Sequence, residues 1–432
     1  MFIVLLDVIL LMILLFLSIP LPLCFGGALL FIFLSGDISM KSMMLWAFGE
    51  IKNPVLLAGP LFILAGLYMG ASGVAERILN FVDCFVGRIK GGLGVVACVT
   101  CAVIGAISGS GFTGVAATGP MLIPRMVEKG YPRGFATGLI TCASVLGMLI
   151  PPSGIMIIYG WITQTSILGC FLATLGPGIA LTIALSLVNL VWARKFNIKL
   201  DPPLPTAQRR KRLVHRTWVA IPALLLPIII LGGIYSGIFT PTEAAAIAAV
   251  FTLPIGFFIY KDLNIKKLYS VALDGASSVG AIMVMIFFCL MLSQAYIMLQ
   301  VPQQMVKIIT TISQDRIIIL LIVNLLLFLV GMLVNDATGV ILVVPLLLPI
   351  MTYIGIHPMH FAAIVGVNLG MGTLTPPYAS ILYLGMRVGK CEFSEIIGPA
   401  LVFILFGYIP VLILTIFWPE LSLFLPRLFG YL

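Results

Sequence analysis

The chain has 432 residues, 61% of them hydrophobic and only 9% charged, with a mean hydropathy of +1.21. A soluble protein of this length cannot bury so much apolar surface, so the composition excludes that class and points to a polytopic membrane protein. The formal charge of +9 sits mainly in short loops, where it sets topology and gives no support to nucleic-acid binding.

The first apolar run begins at Phe2 without a basic leader, so no cleavable signal peptide is expected. Residues 2–34 are apolar for too long to be one ordinary span, and Pro20 and Pro22 divide them. Either one kinked helix or two short ones would fit, and Asp7 is expected at the membrane interface. A span over 53–72 carries Gly59, Pro60, Gly66 and Gly70, small residues suited to close packing. Residues 74–92, with Glu76, Arg77, Asp83, Arg88 and Lys90, predict an amphipathic helix along the surface. From Leu93 to Val127 the apolar run is interrupted by GAISGSGFTG at 105–114. That density of glycine and hydroxyl residues argues against a continuous helix and for a re-entrant hairpin with a polar turn at mid-depth.

An apolar stretch at 134–160 follows, interrupted by Pro151-Pro152 with Ser153 and Gly154 behind. A membrane helix cannot pass through that pair intact, because proline lacks an amide hydrogen and its ring crowds the preceding turn. The carbonyls freed there persist at membrane depth only where protein or a watery cavity satisfies them. A span at 163–193 leads to the loop 194–216, whose eight Lys or Arg against the single acid Asp201 make it cytoplasmic. Spans over 218–238 and 243–260 are joined by the turn GIFTPTE, with Thr242 expected as the N-cap and Glu243 in the first turn. A span at 272–300, a second hairpin at 317–351 with its polar turn at 331–339, a second broken helix at 361–385 and a last span at 396–418 complete the chain.

At an offset of 225 residues the chain matches itself. Gly147, Leu149, Pro151, Pro152 and Gly160 fall on Gly372, Leu374, Pro376, Pro377 and Gly385, and Thr113, Gly114 and Val115 fall on Thr338, Gly339 and Val340. Pro120, Pro124 and Gly130 likewise fall on Pro345, Pro349 and Gly355. Charge then fixes the relation between the copies. The loop entering the first broken helix carries Arg125, Lys129 and Arg133, whereas that entering the second, 352–360, has no Lys or Arg, and Arg387 and Lys390 stand at its exit. The copies are therefore expected to be inverted. The sequence predicts an all-α polytopic membrane fold of inverted-topology repeats, each a re-entrant helical hairpin plus a broken Pro-Pro helix.

Two polar turns meeting two broken helices predict two equivalent cation sites, because hard cations take several oxygens from carbonyls and hydroxyls. The first would use Gly105, Ser108, Ser110, Gly147, Ile150 and Pro152; the second Gly331, Asn335, Thr338, Gly372, Thr375 and Pro377. The glycines, Ile150 and the prolines would act through main-chain oxygens. Helix N-termini at the breaks would offer amides to an anionic substrate, and Ser153, Thr373 and Asp336 are candidates linked to substrate or ion. Asp336 is the one carboxylate expected deep in the membrane core; a structural role, bonding turn amides within its hairpin, fits it as well as an ion-linked one. Cys98 and Cys101 form a CxxC with no second pair or nearby His, and are expected to be packing residues. No HExxH, P-loop or Walker lysine is present, so no enzyme activity is expected. His215, His357 and His360 lie in or beside expected loops and form no site.

The GIFTPTEAAA run at 237–246, the SGSGFTG turn, MLIPRMVEKGYPRGFATG at 121–138 and the LGMLIPPS break resemble the large membrane subunit of tripartite ATP-independent periplasmic (TRAP) transporters. The resemblance covers nearly the whole chain. It implies an elevator-type ion-transporter fold and sodium-coupled import of an organic acid, such as sialic acid or a dicarboxylate, with Na+ as the coupling ion. It further implies a bacterial inner-membrane location, a separate small four-helix membrane subunit and a periplasmic substrate-binding protein as partners. On that plan residues 1–92 would be N-terminal scaffold, 93–160 the first transport repeat, 161–316 scaffold, 317–385 the second transport repeat and 386–432 a C-terminal span. A stand-alone ion-coupled carboxylate carrier and an ion channel are the rival readings.

Overall fold

The computed structural model describes all residues except 1, 18, 36–37, 87–88 and 200–204, and every regular element among the described residues is helical. Among the described residues, nine helical segments are long and apolar enough to cross a membrane. The N-terminal apolar run is two helices packed together, α1 (Phe2–Phe16) and α2 (Leu21–Ser35). They part at Pro20, and Pro22 falls in the first turn of α2, where a missing amide leaves no helical bond unmade. Asp7 is not interfacial. It is fully buried, and the Tyr296 hydroxyl donates to its Oδ2 at 2.7 Å.

The helix α3 (Met40–Ile51) lies where the hydropathy pattern assigns no span. Asn53 then caps α4 (Pro54–Ala71), its side chain accepting the Val55 amide at 3.0 Å. One face of α5 (Val74–Val86), carrying Val74, Ala75, Ile78, Leu79 and Val82, is buried against neighbouring helices. The hairpin α6 (Gly92–Ser108) and α7 (Gly111–Glu128) follows, then the broken helix α8 (Arg133–Ser144), α9 (Leu146–Leu149) and α10 (Gly154–Thr163). Next come α11 (Ile167–Ala193) and α12 (Thr206–Tyr235), the latter beginning well inside the segment read as the loop 194–216.

The true cap of α13 (Pro241–Pro254) is Thr240, which forms a capping box with Glu243; the Thr242 hydroxyl instead donates to the Pro54 carbonyl at 2.9 Å. The cap falls earlier because Pro241 is well placed as the first helical residue. A π-helical turn, Ile255–Ile259, extends α13. The long α14 (Ile265–Met298) is followed by α15 (Val301–Ile312), in a stretch where no element was expected. The second hairpin is α16 (Arg316–Leu333) and α17 (Asp336–Tyr353), and the second broken helix α18 (Pro358–Gly372) and α19 (Ser380–Gly389). The last span, α20 (Phe393–Phe403), a π turn and α21 (Ile409–Phe417), ends before α22 (Glu420–Leu428), which hydropathy does not reveal. His360 is no loop residue: it is buried in α18, its Nε2 2.7 Å from the Thr415 carbonyl.

The repeat is written into the helix ends. Ser108 and Leu333, Gly111 and Asp336, Glu128 and Tyr353, and Arg133 and Pro358 are equivalent boundaries, each pair 225 residues apart. Two contacts between the copies show the inversion. Arg133, where the first broken helix begins, donates to the carbonyl of Gly389, where the second ends, at 3.0 Å. Tyr159, near the end of the first, donates to the carbonyl of Pro358, at the start of the second, at 2.6 Å. The two broken helices therefore run antiparallel, each beginning beside the other's end.

The basic loops gather at one end. Arg216 donates to Asp83 at 2.9 Å, with Arg125 and Arg212 each 3.8 Å from the same carboxylate; Lys90 reaches the Arg194 carbonyl at 3.1 Å, and Arg77 pairs with Asp262. By the positive-inside bias this end is cytoplasmic. In a cysteine-free background, Glu128→Cys should react with an impermeant maleimide only from the cytoplasm and His357→Cys only from the opposite side. Labelling of both from one side would rule out the inverted arrangement.

Candidate functional site

Each hairpin tip is seated in the break of its own repeat. The first tip turns over Gly109 and Ser110, with Gly109 in the left-handed region at φ 62° and its amide donating to the Gly105 carbonyl at 2.7 Å. The Gly154 amide, just behind Pro151-Pro152, donates to the Gly109 carbonyl at 3.0 Å. The second tip turns over Val334 and Asn335, both extended, and the Tyr378 amide, just behind Pro376-Pro377, donates to the Met332 carbonyl at 3.0 Å. Both Pro-Pro bonds are cis.

What lets the tips approach so closely is glycine against glycine. A Cβ on Gly105 would lie 2.3 Å from the Gly147 Cα, and one on Gly372 would lie 2.5 Å from the Gly331 Cα. Backbone packs on backbone at both places, as small residues allow between membrane helices.

The residues nominated from the sequence come together unevenly. Gly105, Ser110 and Gly147 meet at the first tip, where a Cβ on Gly147 would be 3.1 Å from the Ser110 carbonyl oxygen; Pro152 is close by, its oxygen 2.9 Å from a Cβ placed on Gly109. Ser108 is buried and its hydroxyl lies 3.5 Å from the Ser110 carbonyl. Among the described residues no donor reaches the carbonyls of Ile150 and Pro152, or that of Thr375 in the second break. The Pro377 carbonyl accepts the Tyr383 hydroxyl at 3.4 Å. Gly331 and Gly372 touch, but Asn335 and Thr338 are already engaged: the Asn335 oxygen accepts the Thr338 amide at 3.0 Å and its hydroxyl at 2.6 Å. Ser153, Thr373 and Thr375 donate to the Met148, Gly370 and Met371 carbonyls at 2.6, 2.8 and 3.0 Å. These oxygens suit a hard cation, and among the described residues no three His, Cys, Asp or Glu side chains gather as a transition metal would ask.

The two tips also share one cavity, of about 70 Å3. Ser108, Gly109 and Ser110 line it from the first hairpin, and Asn335, Asp336 and Ala337 from the second. Its remaining wall is apolar and comes from Phe112 of α7 and from α4, α10 and α14, including Pro60, Phe62, Ile158 and Ile286. Sequence reasoning did not assign these wall residues; the Gly59-Pro60 pair in α4 was the available signal.

A family model described as "Tripartite ATP-independent periplasmic transporter, DctM component" matches residues 8–421. The chain belongs to this family. It is 35% identical over 405 residues to the C4-dicarboxylate TRAP transporter large permease protein of Pseudomonas aeruginosa, covering 94% of this chain and 93% of that one. It is 34% identical to the sialic acid TRAP transporter large permease protein of Vibrio cholerae, with 94% of both chains covered. It is 33% identical to the isethionate TRAP transporter permease protein of Oleidesulfovibrio alaskensis, spanning 95% of this chain but only 64% of that longer protein. Among solved structures, the Alcanivorax borkumensis YdaH transporter shares the fold at a TM-score of 0.56 and 18% identity, over 89% of each chain. The relatives are named as transporter permeases.

In this DctM component the two tips differ electrostatically. Neither Ser110 nor Ser153 turns its side chain back to cap the helix it precedes, so the starts of α7 and α10 carry no side-chain cap, although the Gly154 amide is taken by the Gly109 carbonyl. The start of α17 is closed by its own side chains, Asn335 on Thr338 and the Asp336 Oδ1 on the Ala337 amide at 2.9 Å. An anion is thus better received at the first tip than at the second. Gly105→Ala and Gly372→Ala should each force a tip out of its break. Overpacking of this kind destabilises by about 1–3 kcal/mol, so both variants should unfold at lower temperature in detergent. Gly232→Ala, with nothing within 4 Å of the added methyl, should unfold with the parent.

Proposed function

We propose that this chain is the large membrane subunit of a TRAP transporter that imports an organic acid across the bacterial inner membrane, driven by sodium. The observation that carries this is the meeting of two inverted hairpin tips at one cavity, beside breaks where, among the described residues, no donor reaches the Ile150, Pro152 and Thr375 carbonyls. Backbone oxygens of Gly105, Gly147, Ile150 and Pro152, with Ser108 and Ser110, would hold one sodium ion. Those of Gly331, Gly372 and Pro377, with the side chains of Asn335, Thr338 and Thr375, would hold a second, Asn335 and Thr338 exchanging their mutual hydrogen bond for the ion. The substrate carboxylate would take first-turn amides of α7 and, beyond Gly154, of α10, assisted by Ser153. Asp336 would stand across the cavity, tied to its own hairpin by the Ala337 amide, and Thr373 would steady the second break.

In this reading the two hairpin-and-break units move as one body against α4, α14 and the other spans, carrying the cavity from one face to the other. Relatives named for C4-dicarboxylates, sialic acid and isethionate support an acidic solute without selecting one. A small four-helix membrane subunit would brace the static spans, and a periplasmic binding protein would deliver solute at the end holding α15 and the loop 352–360.

Two measurements test this. In vesicles under an inward sodium gradient, uptake should require this chain, the small subunit and the binding protein together; full-rate uptake by the chain alone would replace the tripartite reading with a stand-alone carrier. Ser108→Ala and Thr375→Ala should each weaken apparent sodium affinity. Losing one such interaction is worth about 1–3 kcal/mol, hence roughly several-fold to a hundredfold. Unchanged sodium dependence in both, with folding intact, would remove the ligand assignment.

A further inference from the structure

A second cavity, of about 230 Å3, lies farther along the same seam. From the tip cavity, α10 advances from Ile158 to Trp161, α14 from Ile286 to Gln294 and α17 from Ala337 to Ile341 and Pro345. All three helices step away from the basic end, and eight residues of α14 correspond to about 12 Å. The helix α3 closes the other side with Trp46 and Glu50, and Gln164 sits at the rim. This is the outer mouth above the hairpin tips.

Its lining has a distinct chemistry. Two indoles and one carboxylate face the same space, and no Lys, Arg or His is among the lining residues. Among the described residues the Glu50 carboxylate takes part in no hydrogen bond or ion pair. The nearest cation in sequence, Lys52, is directed elsewhere, its Nζ 4.7 Å from the centroid of the Phe48 ring. Membrane proteins do place tryptophans at the interface as anchors. Trp218 and Trp418 fit that role at 70% and 55% exposed, whereas Trp46 and Trp161 are half-buried against the cavity.

We propose that this outer cavity is a binding site for an organic solute carrying a positive charge, an ammonium or amidinium group borne alongside a carboxylate, and that it is the first station on the way to the hairpin tips. Indole faces attract such a cation and an unpaired carboxylate completes the cage. A dianion meets only Glu50 and neutral groups here. The station's place on a transport route rests on the reading of the tips as the transport site; the chemistry of the cavity does not.

The probe is glycine betaine, a trimethylammonium carboxylate, titrated into the purified full chain in nanodiscs without sodium. The variant used keeps only Trp46 and Trp161, with Trp192, Trp218 and Trp418 changed to Phe. Betaine should give a saturable change in indole emission, while succinate should give none. Glu50→Gln should weaken betaine binding roughly tenfold or more, and Glu50→Asp, which keeps the charge, by only a few-fold. Calorimetric titration of the chain with all five tryptophans makes the same comparison should the reduced variant fail to fold. No saturable response to betaine, an unchanged affinity in Glu50→Gln, succinate binding as tightly as betaine, or a response only to an added periplasmic protein would each overturn the proposal. No gradient enters the measurement. Betaine binding would therefore leave this site standing even if the complete three-component assembly showed no sodium-driven uptake of any organic acid, the outcome that would remove the transport reading.

Discussion

Backbone lying directly on backbone is the constraint from which the rest of this structure follows. Within a bilayer, lipid is as apolar as a leucine side chain, so helices gain from meeting only where they come very close. Gly105 against Gly147 and Gly331 against Gly372 provide that closeness. Only then can the amides of Gly154 and Tyr378 reach the carbonyls of Gly109 and Met332. A non-helical turn and a broken helix thereby answer part of each other's polar demand at a depth where water does not.

Antiparallel docking of the broken helices does the second piece of work. Because each begins beside the other's end, through Arg133 on Gly389 and Tyr159 on Pro358, the hairpins enter from opposite faces and their tips arrive at the same level. One small cavity is enough to collect both. The symmetry is broken at the tips themselves, where a left-handed glycine turn in one copy is an extended Val-Asn turn in the other. Helix starts without a side-chain cap on one side face a self-capped helix start and a carboxylate on the other.

Around this centre three polar contacts act as ties between helices. Asp7 and Tyr296 join α1 to α14 inside the protein, Ser293 donates to the Ile341 carbonyl at 3.0 Å to join α14 to the second hairpin, and Asn368 donates to Asn324 at 2.6 Å to join the second hairpin to its broken helix. Each bond is made where a lone polar side chain would otherwise be left without water. The basic end is held by a different device, several arginines converging on the single carboxylate of Asp83.

The amino-acid sequence by itself determined where helices must stop, that the stops recur at one offset, and that the copies are inverted. Proline geometry and the placement of Lys and Arg act locally, and both can be read along one dimension. Membership of the family followed from the same motifs. Tertiary structure alone decided which polar groups meet. Asp7 looked interfacial until Tyr296, 289 residues away, supplied its partner. The contact glycines of the two hairpins, Gly105 and Gly331, are 226 residues apart, one off the repeat, because the tips turn differently; an ungapped comparison cannot pair them. Thr240 rather than Thr242 caps α13, and α12 and α15 fill stretches that polarity alone marks as loop. Hydropathy reports how apolar a residue's surroundings are on average, whereas a cap, a buried carboxylate or a shared cavity depends on the direction from which another helix arrives.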